Sequence, residues 1–226
     1  MLRAVIFDFD GVITDSEIVH LRSFNEVLGT YAVHIDKHRY YRDYLGLTDE
    51  DLFKRLIKEG ETAIRDSDLD KLLREKKQVY EQLIRTDGKL IGGVREFLEK
   101  LKCEKIHIAI CSGALKTEIE LILEQARLRD YFETIVSAEN TRKGKPHPEG
   151  FLLTLKRLNK KSDTDISAEQ CIAIEDSHWG LKAAKAAGMH TVAITNSYDA
   201  RQLKDADKIA DHLDELTMEK LRALCR

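Results

Sequence analysis

AVIFDFD, residues 4–10, is a short apolar, β-prone run that ends in two acids spaced one residue apart and stops at Gly11. A continuous run of this kind suits a strand covered on both faces, as in a parallel sheet. A lone strand cannot bury itself, so the stretch demands partner strands elsewhere. The next residues do not supply them. In 17–28 the apolar Ile18, Leu21, Phe24, Val27 and Leu28 recur at helical spacing. Thr48 precedes DEDLFKRLIKE, where Leu52, Phe53, Leu56 and Ile57 form one stripe and Thr48 with Asp51 resembles a capping box. Asp68 precedes a long helical pattern carrying Leu69, Leu72, Leu73, Val79, Tyr80, Leu83 and Ile84. Residues 17–86 therefore read as a small helical bundle.

The partner strands come later, at IHIAIC (106–111), TIVSA (134–138), CIAIE (171–175) and TVAIT (191–195), with a weaker one at 208–210. Helical patterns around 92–102, 115–126, 148–159 and 178–187 separate them. Alternation of this kind implies βαβ units and a doubly wound parallel sheet, an α/β core of Rossmann-like type. The first strand must join that sheet. Residues 1–16 and 87–226 are thus expected to form the core domain, with 17–86 inserted after the first strand as an all-helical cap. Ligands of open α/β sheets bind beyond the carboxyl ends of the strands, and the cap is expected over that end.

Composition narrows the function. The net charge of −3 gives no basic surface that argues for nucleic acid. No apolar run approaches the length of a membrane span, and MLRAVIFDFD opens directly into a strand rather than a leader. The four cysteines, Cys103, Cys111, Cys171 and Cys225, form no CxxC pair, and Cys111 and Cys171 sit at the edges of apolar runs as buried thiols. These features predict a cytoplasmic protein in a reducing compartment, with neither a disulfide framework nor a zinc site. Nothing demands more than a monomer.

The polar residues that follow each strand converge on one chemistry. Asp8, Asp10, Thr14 and Asp15 follow the first strand; Ser112 and Gly113 follow IHIAIC; Glu175, Asp176 and Ser177 follow CIAI. KGKPHPEGF (143–151) holds both prolines of the chain, which constrain the backbone around Lys145. Several carboxylates in one place repel and resist ionising unless a hard cation joins them, and magnesium takes oxygen ligands together with substrate phosphate. A hydroxyl, an ammonium and turn N–H groups suit the phosphate itself. The assembly reads as a magnesium-assisted phosphoryl-transfer site. Asp8 and Asp10 project to the same side of an extended segment, so one can attack while the other transfers the proton.

DFDGVITD, ICSG, KGKPHPEGF and IEDSHWGLKAAKAAGM, in that order, resemble the haloacid dehalogenase superfamily, in its β-phosphoglucomutase-like branch of phosphatases and phosphomutases with a helical cap. The resemblance implies Asp8 as nucleophile and Asp10 as general acid/base with its backbone carbonyl on Mg2+. It implies Asp176 as a further metal ligand and Glu175 as a ligand or its neighbour. Ser112, Gly113 and Lys145 would hold the phosphoryl group, and His20 resembles a substrate-side histidine of phosphoglucomutase-type members. Dehalogenases and P-type ATPases lack an acid at the place of Asp10, so its presence favours hydrolysis of a small phosphate ester, sugar phosphates foremost, or a mutase reaction.

In mutases of that branch an arginine follows the cap's Gly-x-Ser/Thr turn. Here the turn reads GLTDEDLF, and Asp49 stands in that place, where an acid repels a second phosphate. Ala114 and Lys116 stand where mutases show further polar contacts. The reading is therefore a phosphatase, with a hexose-phosphate mutase as alternative and a non-catalytic phosphate-ligand-binding protein as a remote one. Around these residues, Thr14 and Asp15 are expected to cap the helix entering the cap, Trp179 to pack its helix, Arg39 and Arg42 to lie on a solvated face, and 157–170 to form an exposed loop.

Overall fold

The computed structural model describes all residues except 61, 62, 88, 163, 164 and 226, and the backbone alone of 85–87. The chain divides into two compact units, Met1–Asp15 with Lys89–Arg226, and Ser16–Gly88.

The first unit is built on six parallel strands, β1 (Ala4–Phe7), β2 (His107–Cys111), β3 (Thr134–Val136), β4 (Cys171–Glu175), β5 (His190–Ile194) and β6 (Lys208–Ala210). Their order is β3-β2-β1-β4-β5-β6. The first strand is central, which explains its unbroken apolar sequence: all four of its residues are buried. Ala4 and Ile6 pack on one face with Phe151, Leu158, Ala183 and Ala184. Phe7 points the other way, its ring 5.9 Å from that of Phe97 and 6.2 Å from that of Phe132. Register is fixed by the pairs Val5 with Ile108 and Ile6 with Ala173. The order reverses between β1 and β4, which makes their shared carboxyl end the switch point at which such sheets bind ligands.

The connecting helices are α5 (Val94–Cys103), α6 (Lys116–Gln125), α7 (Glu149–Asn159) and α8 (His178–Ala186), with α9 (Met218–Leu224) at the end. β3 is shorter than its sequence predicts. At Ser137 the backbone N–H donates to the Asn140 side chain, and Ala138–Asn140 form a 3-10 turn. A local side-chain acceptor thus ends the strand before Ala138. The stretch 157–170 is also not simply an exposed loop: α7 runs through Asn159, whose amide ties down the backbone of a buried Ile166.

The helical unit holds α1 (Glu17–Leu28), α2 (Lys37–Arg39) running into a π-helical turn at Tyr40–Tyr44, α3 (Asp49–Glu59) and α4 (Leu69–Asp87). Leu21, Phe24, Leu28, Tyr40, Tyr44, Leu52, Phe53, Leu56 and Leu72 form its core. The helical stripes of the sequence are these buried faces. The Thr48 cap differs from a reciprocal box. Its Oγ1 accepts from the Asp51 N–H at 3.1 Å and donates to Asp51 Oδ2 at 2.7 Å, the shorter Asp reaching the hydroxyl. Such a cap contributes about 1 kcal/mol.

Thr14 and Asp15 do not cap α1. Thr14 Oγ1 and the Asp15 N–H both donate to Lys89 O, at 2.9 and 3.2 Å, and Ile91 N–H donates to Ile13 O at 3.0 Å. They tie the chain where it leaves the first unit to the chain where it returns. No described helix is long and apolar enough to cross a membrane.

Candidate functional site

The ends of β1 and β4 deliver the acids of the switch point. The Asp8 N–H donates to Ile174 O at 2.9 Å, so the residue after β1 is pinned beside the end of β4. Next the chain folds tightly on Phe9, whose carbonyl accepts from Ile13 and Thr14. Gly11 is required in this loop twice over. Its φ is +74°, and a Cβ there would lie 1.7 Å from Asp176 Oδ2. At the end of β4, Glu175 is fully buried and Asp176 nearly so. Asp8, Glu175 and Asp176 each offer one carboxylate oxygen, all within 4.8 Å of one another. Gly180, in the first turn of α8, makes room for this: a Cβ would meet the Glu175 carboxylate at 1.9 Å. Ser177 caps α8 by accepting from the Gly180 N–H, and its hydroxyl donates to Glu175 Oε2 at 3.1 Å.

Lys145 completes the group. Its Nζ lies 2.8 Å from Asp8 Oδ1 and 2.6 Å from Glu175 Oε1. All three atoms are buried, so the contact is a charge-assisted one between a single ammonium and two carboxylates, shielded from water. The Lys145–Pro146 peptide is cis. The loop's shape rests on more than proline. The Glu149 carboxylate accepts from the N–H groups of Arg142 and Lys143, at 3.1 and 3.2 Å, and His147 N–H donates to Gly144 O. Glu149 was not singled out from sequence.

The electrostatics follow from three buried acids around one base. Burial pulls Lys145 down, yet Asp8 and Glu175 outweigh it and hold the ammonium well above its ordinary range. Burial, then Asp8, push Glu175 up to about 7 against the pull of Lys145. Burial, Asp8 and Glu175 likewise raise Asp176, opposed by a hydrogen bond from Ser197. One ammonium leaves a surplus of negative charge that a bound cation would offset. Cys111, beneath this group, is pushed by burial to about 12 and is no nucleophile.

Of the remaining sequence candidates, Ser112 is buried at the end of β2, its N–H on Val136 O and its Oγ accepting from the Ala114 N–H at 3.0 Å. Gly113 beside it faces open space. The Asp10 carboxylate is not one of the three clustered acids, and its backbone pairs with Thr14. His20 lies in the helical unit, in a cluster of its own. Lys76 Nζ, 1% exposed, is 2.6 Å from His20 Nδ1 and donates to both Asp49 oxygens at 2.8 Å. The ammonium also sits over the rings of Phe24 and Tyr80. As Lys76 has only hydrogens to give, Nδ1 accepts and the imidazole hydrogen lies on Nε2. Burial first, and Lys76 second, hold His20 well below its ordinary value.

Arg39 and Arg42 are occupied by Glu59 and Asp43; Arg42 is exposed as the sequence predicts, whereas Arg39 is half-buried over the Tyr44 ring. Trp179 does not pack into its helix: it is 45% exposed, against His178 and beneath Lys182. Beside Glu149 and Lys76, two further residues escaped sequence reasoning. Ser197 Oγ donates to Asp176 Oδ2, and Asn196 Nδ2 donates to Gly11 O at 2.7 Å. Only their position after β5, at a strand's carboxyl end, could have flagged them.

The family model for haloacid dehalogenase-like hydrolases matches residues 5–194, from the first strand to the end of β5. The chain belongs to the haloacid dehalogenase-like hydrolase family. Within this family it is 31% identical to the phosphorylated carbohydrates phosphatase of Thermotoga maritima, over 92% of this chain and 93% of that one. It is 30% identical to the β-phosphoglucomutase of Bacillus subtilis, over 97% and 94%. Among solved structures, a β-phosphoglucomutase from Clostridium difficile superposes with a TM-score of 0.81 at 26% identity, covering 100% of this chain and 97% of that one. Haloacid dehalogenase-like relatives of this chain thus include both phosphatases and mutases.

Proposed function

We propose that the chain is a magnesium-dependent phosphatase of small phosphate esters, sugar phosphates foremost, working through an aspartyl-phosphate on Asp8. The observation that carries this reading is the buried Lys145 ammonium held between Asp8 and Glu175, with Asp176 completing a three-carboxylate set. The donor set fits a hard cation: three carboxylates that each offer an oxygen within 4.8 Å of the others, with surplus negative charge. Asp8, Asp176 and the Asp10 carbonyl would hold magnesium, with Glu175 as a further ligand or as the group that orients Lys145. When bound, the ion neutralises charge on the phosphoryl oxygens.

The residues divide the work. An Asp8 oxygen attacks phosphorus in line, and the ester P–O bond breaks. Asp10 gives its proton to the leaving oxygen. As a carboxylate, Asp10 then takes a proton from water, whose oxygen attacks the same phosphorus. Asp8 is released unchanged, with inorganic phosphate. Ser112, the Gly113 N–H and Lys145 hold the phosphoryl oxygens through the transfer.

The helical unit favours a phosphatase over a mutase. A mutase must grip a second phosphate, yet Lys76 is committed to Asp49 and Arg39 and Arg42 to their own acids. The mutase reading draws its support from the 30% identity to the Bacillus subtilis enzyme. We read the helical unit as a cap that selects the leaving group, with His20 Nε2–H as a hydroxyl-facing donor. The free cysteines support a cytoplasmic setting, and the protein is read as a monomer.

The test is to mix the protein, magnesium and a turned-over sugar phosphate, quench in acid and map phosphate by mass spectrometry. The reading expects it on Asp8 and expects Asp8→Asn to keep the fold but lose turnover. Full activity in Asp8→Asn overturns the nucleophile.

A further inference from the structure

We propose that Asn196 and Ser197, in the loop after β5, are positioning residues that set how Asp176 and the nucleophile loop meet a metal ion. The inference rests on the magnesium reading above. Three strand ends come together here. Ser197 Oγ donates to Asp176 Oδ2, while Asn196 Nδ2 donates to Gly11 O at 2.7 Å across 185 residues of sequence. The fit is close on all sides. A Cβ on Gly11 would lie 1.7 Å from Asp176 Oδ2 and 2.9 Å from Ser197 Oγ. The Gly11 backbone thus leaves no room for a side chain between it and the Asp176–Ser197 pair, which share a hydrogen bond.

The chemistry of the two bonds differs. A carboxylate has two oxygens, and a metal site with a defined geometry needs one presented at a fixed angle. By donating to Oδ2, Ser197 favours one orientation of the Asp176 carboxylate and would leave Oδ1 to ligate an ion. Groups that hydrogen-bond a ligating carboxylate typically account for about 10–100-fold in metal affinity. Asn196 acts on backbone. It holds the Gly11 carbonyl, and with it the tight turn from Phe9 to Thr14 that carries Asp10. The Thr14 carbonyl accepts from the Gly11 N–H at 2.8 Å, so the turn is held from inside and outside. The pair is one span of two adjacent residues clamping both acidic segments. Asn196 is exposed and Ser197 only half-buried, so neither is needed to fill the core.

The experiment is calorimetric titration of magnesium into the unmodified protein, Ser197→Ala, Ser197→Thr and Asn196→Ala, with a melting curve of each in chelator. Ser197→Ala is expected to bind magnesium about 10–100-fold more weakly, with a metal-free melting temperature lowered by no more than a few degrees. Ser197→Thr, which keeps the hydroxyl, is expected to restore most of the affinity. Asn196→Ala is expected to lose less than Ser197→Ala, because it holds backbone rather than a ligand. Magnesium affinity in Ser197→Ala equal to that of the unmodified protein overturns the inference and leaves the phosphatase reading standing. An unmodified protein that binds no magnesium overturns both.

Discussion

Lys76 is a buried cation whose charge is already matched: it donates to both oxygens of Asp49, and the third direction is closed by His20. Asp49 stands at the first position of α3, after the Thr48 cap, and α4 brings Lys76 to it from 27 residues away. Replacing Asp49 by Asn keeps the shape and removes the countercharge. Asp49→Asn is expected to cost about 1–2 kcal/mol of stability, less than a fully buried pair because Asp49 is 37% exposed. The freed ammonium is expected to lower KM for a sugar bisphosphate several-fold while leaving that for the monophosphate within about twofold. An unchanged KM ratio between the two substrates refutes the role given to this ion pair.

Gly180 offers a test with opposing expectations. In a helix, Gly→Ala ordinarily gains about 1 kcal/mol. Here the added Cβ would lie 1.9 Å from the Glu175 carboxylate. Gly180→Ala is expected to destabilise by about 1–3 kcal/mol, as overpacking does, and to weaken magnesium binding by displacing Glu175. A variant that melts higher than the parent contradicts the packing described for this corner.

Glu175 makes the metal-free protein sensitive to pH. Its folded value is raised from 4.5 to about 7, so the folded state holds a proton that the unfolded chain has lost. The stability this provides is fully present below 4.5 and disappears as pH rises through about 7. The loss is read as a lower melting temperature at pH 8 than at pH 5 in the metal-free protein. In chelator, Glu175→Gln is expected to gain on the parent between pH 5 and pH 8. Excess magnesium is expected to shrink this gain, because the ion favours the carboxylate. Parallel melting profiles for parent and variant in chelator contradict the assignment.

Glu149 supplies the strap of the Lys145 loop. Glu149→Gln keeps the length but leaves one amide oxygen for two N–H donors. The expected result is a fall in kcat of about tenfold with little change in melting temperature, measured by steady-state kinetics and melting. Unchanged kcat places the loop's shape elsewhere.

Much of this was legible in the residues. AVIFDFD reads as a central strand because β1 has no exposed face, and the stripes of α1, α3 and α4 read as helices because each buries one side. Asp8, Lys145, Glu175 and Asp176 were legible as a group because each follows a strand or shares a motif with one that does. Contacts made across long separations were not. Asn196 and Ser197 belong to no pattern until β5 is seen to end beside Gly11, and Lys76 is one lysine among many until α4 turns it inward. Trp179 misled because a large aromatic on an amphipathic helix is usually buried, whereas this one flanks His178 at the surface. The end of β3 depended on one side-chain bond at Asn140, which competes with the strand and which apolar pattern does not record.

Phosphorus NMR of the purified protein with magnesium and a panel of sugar phosphates tests the central claim most directly. The panel includes β-glucose 1-phosphate with a trace of its bisphosphate. The account predicts growth of the inorganic phosphate signal, abolished in Asp8→Asn. Movement of the phosphate to another hydroxyl without net release would contradict it and make the protein a mutase.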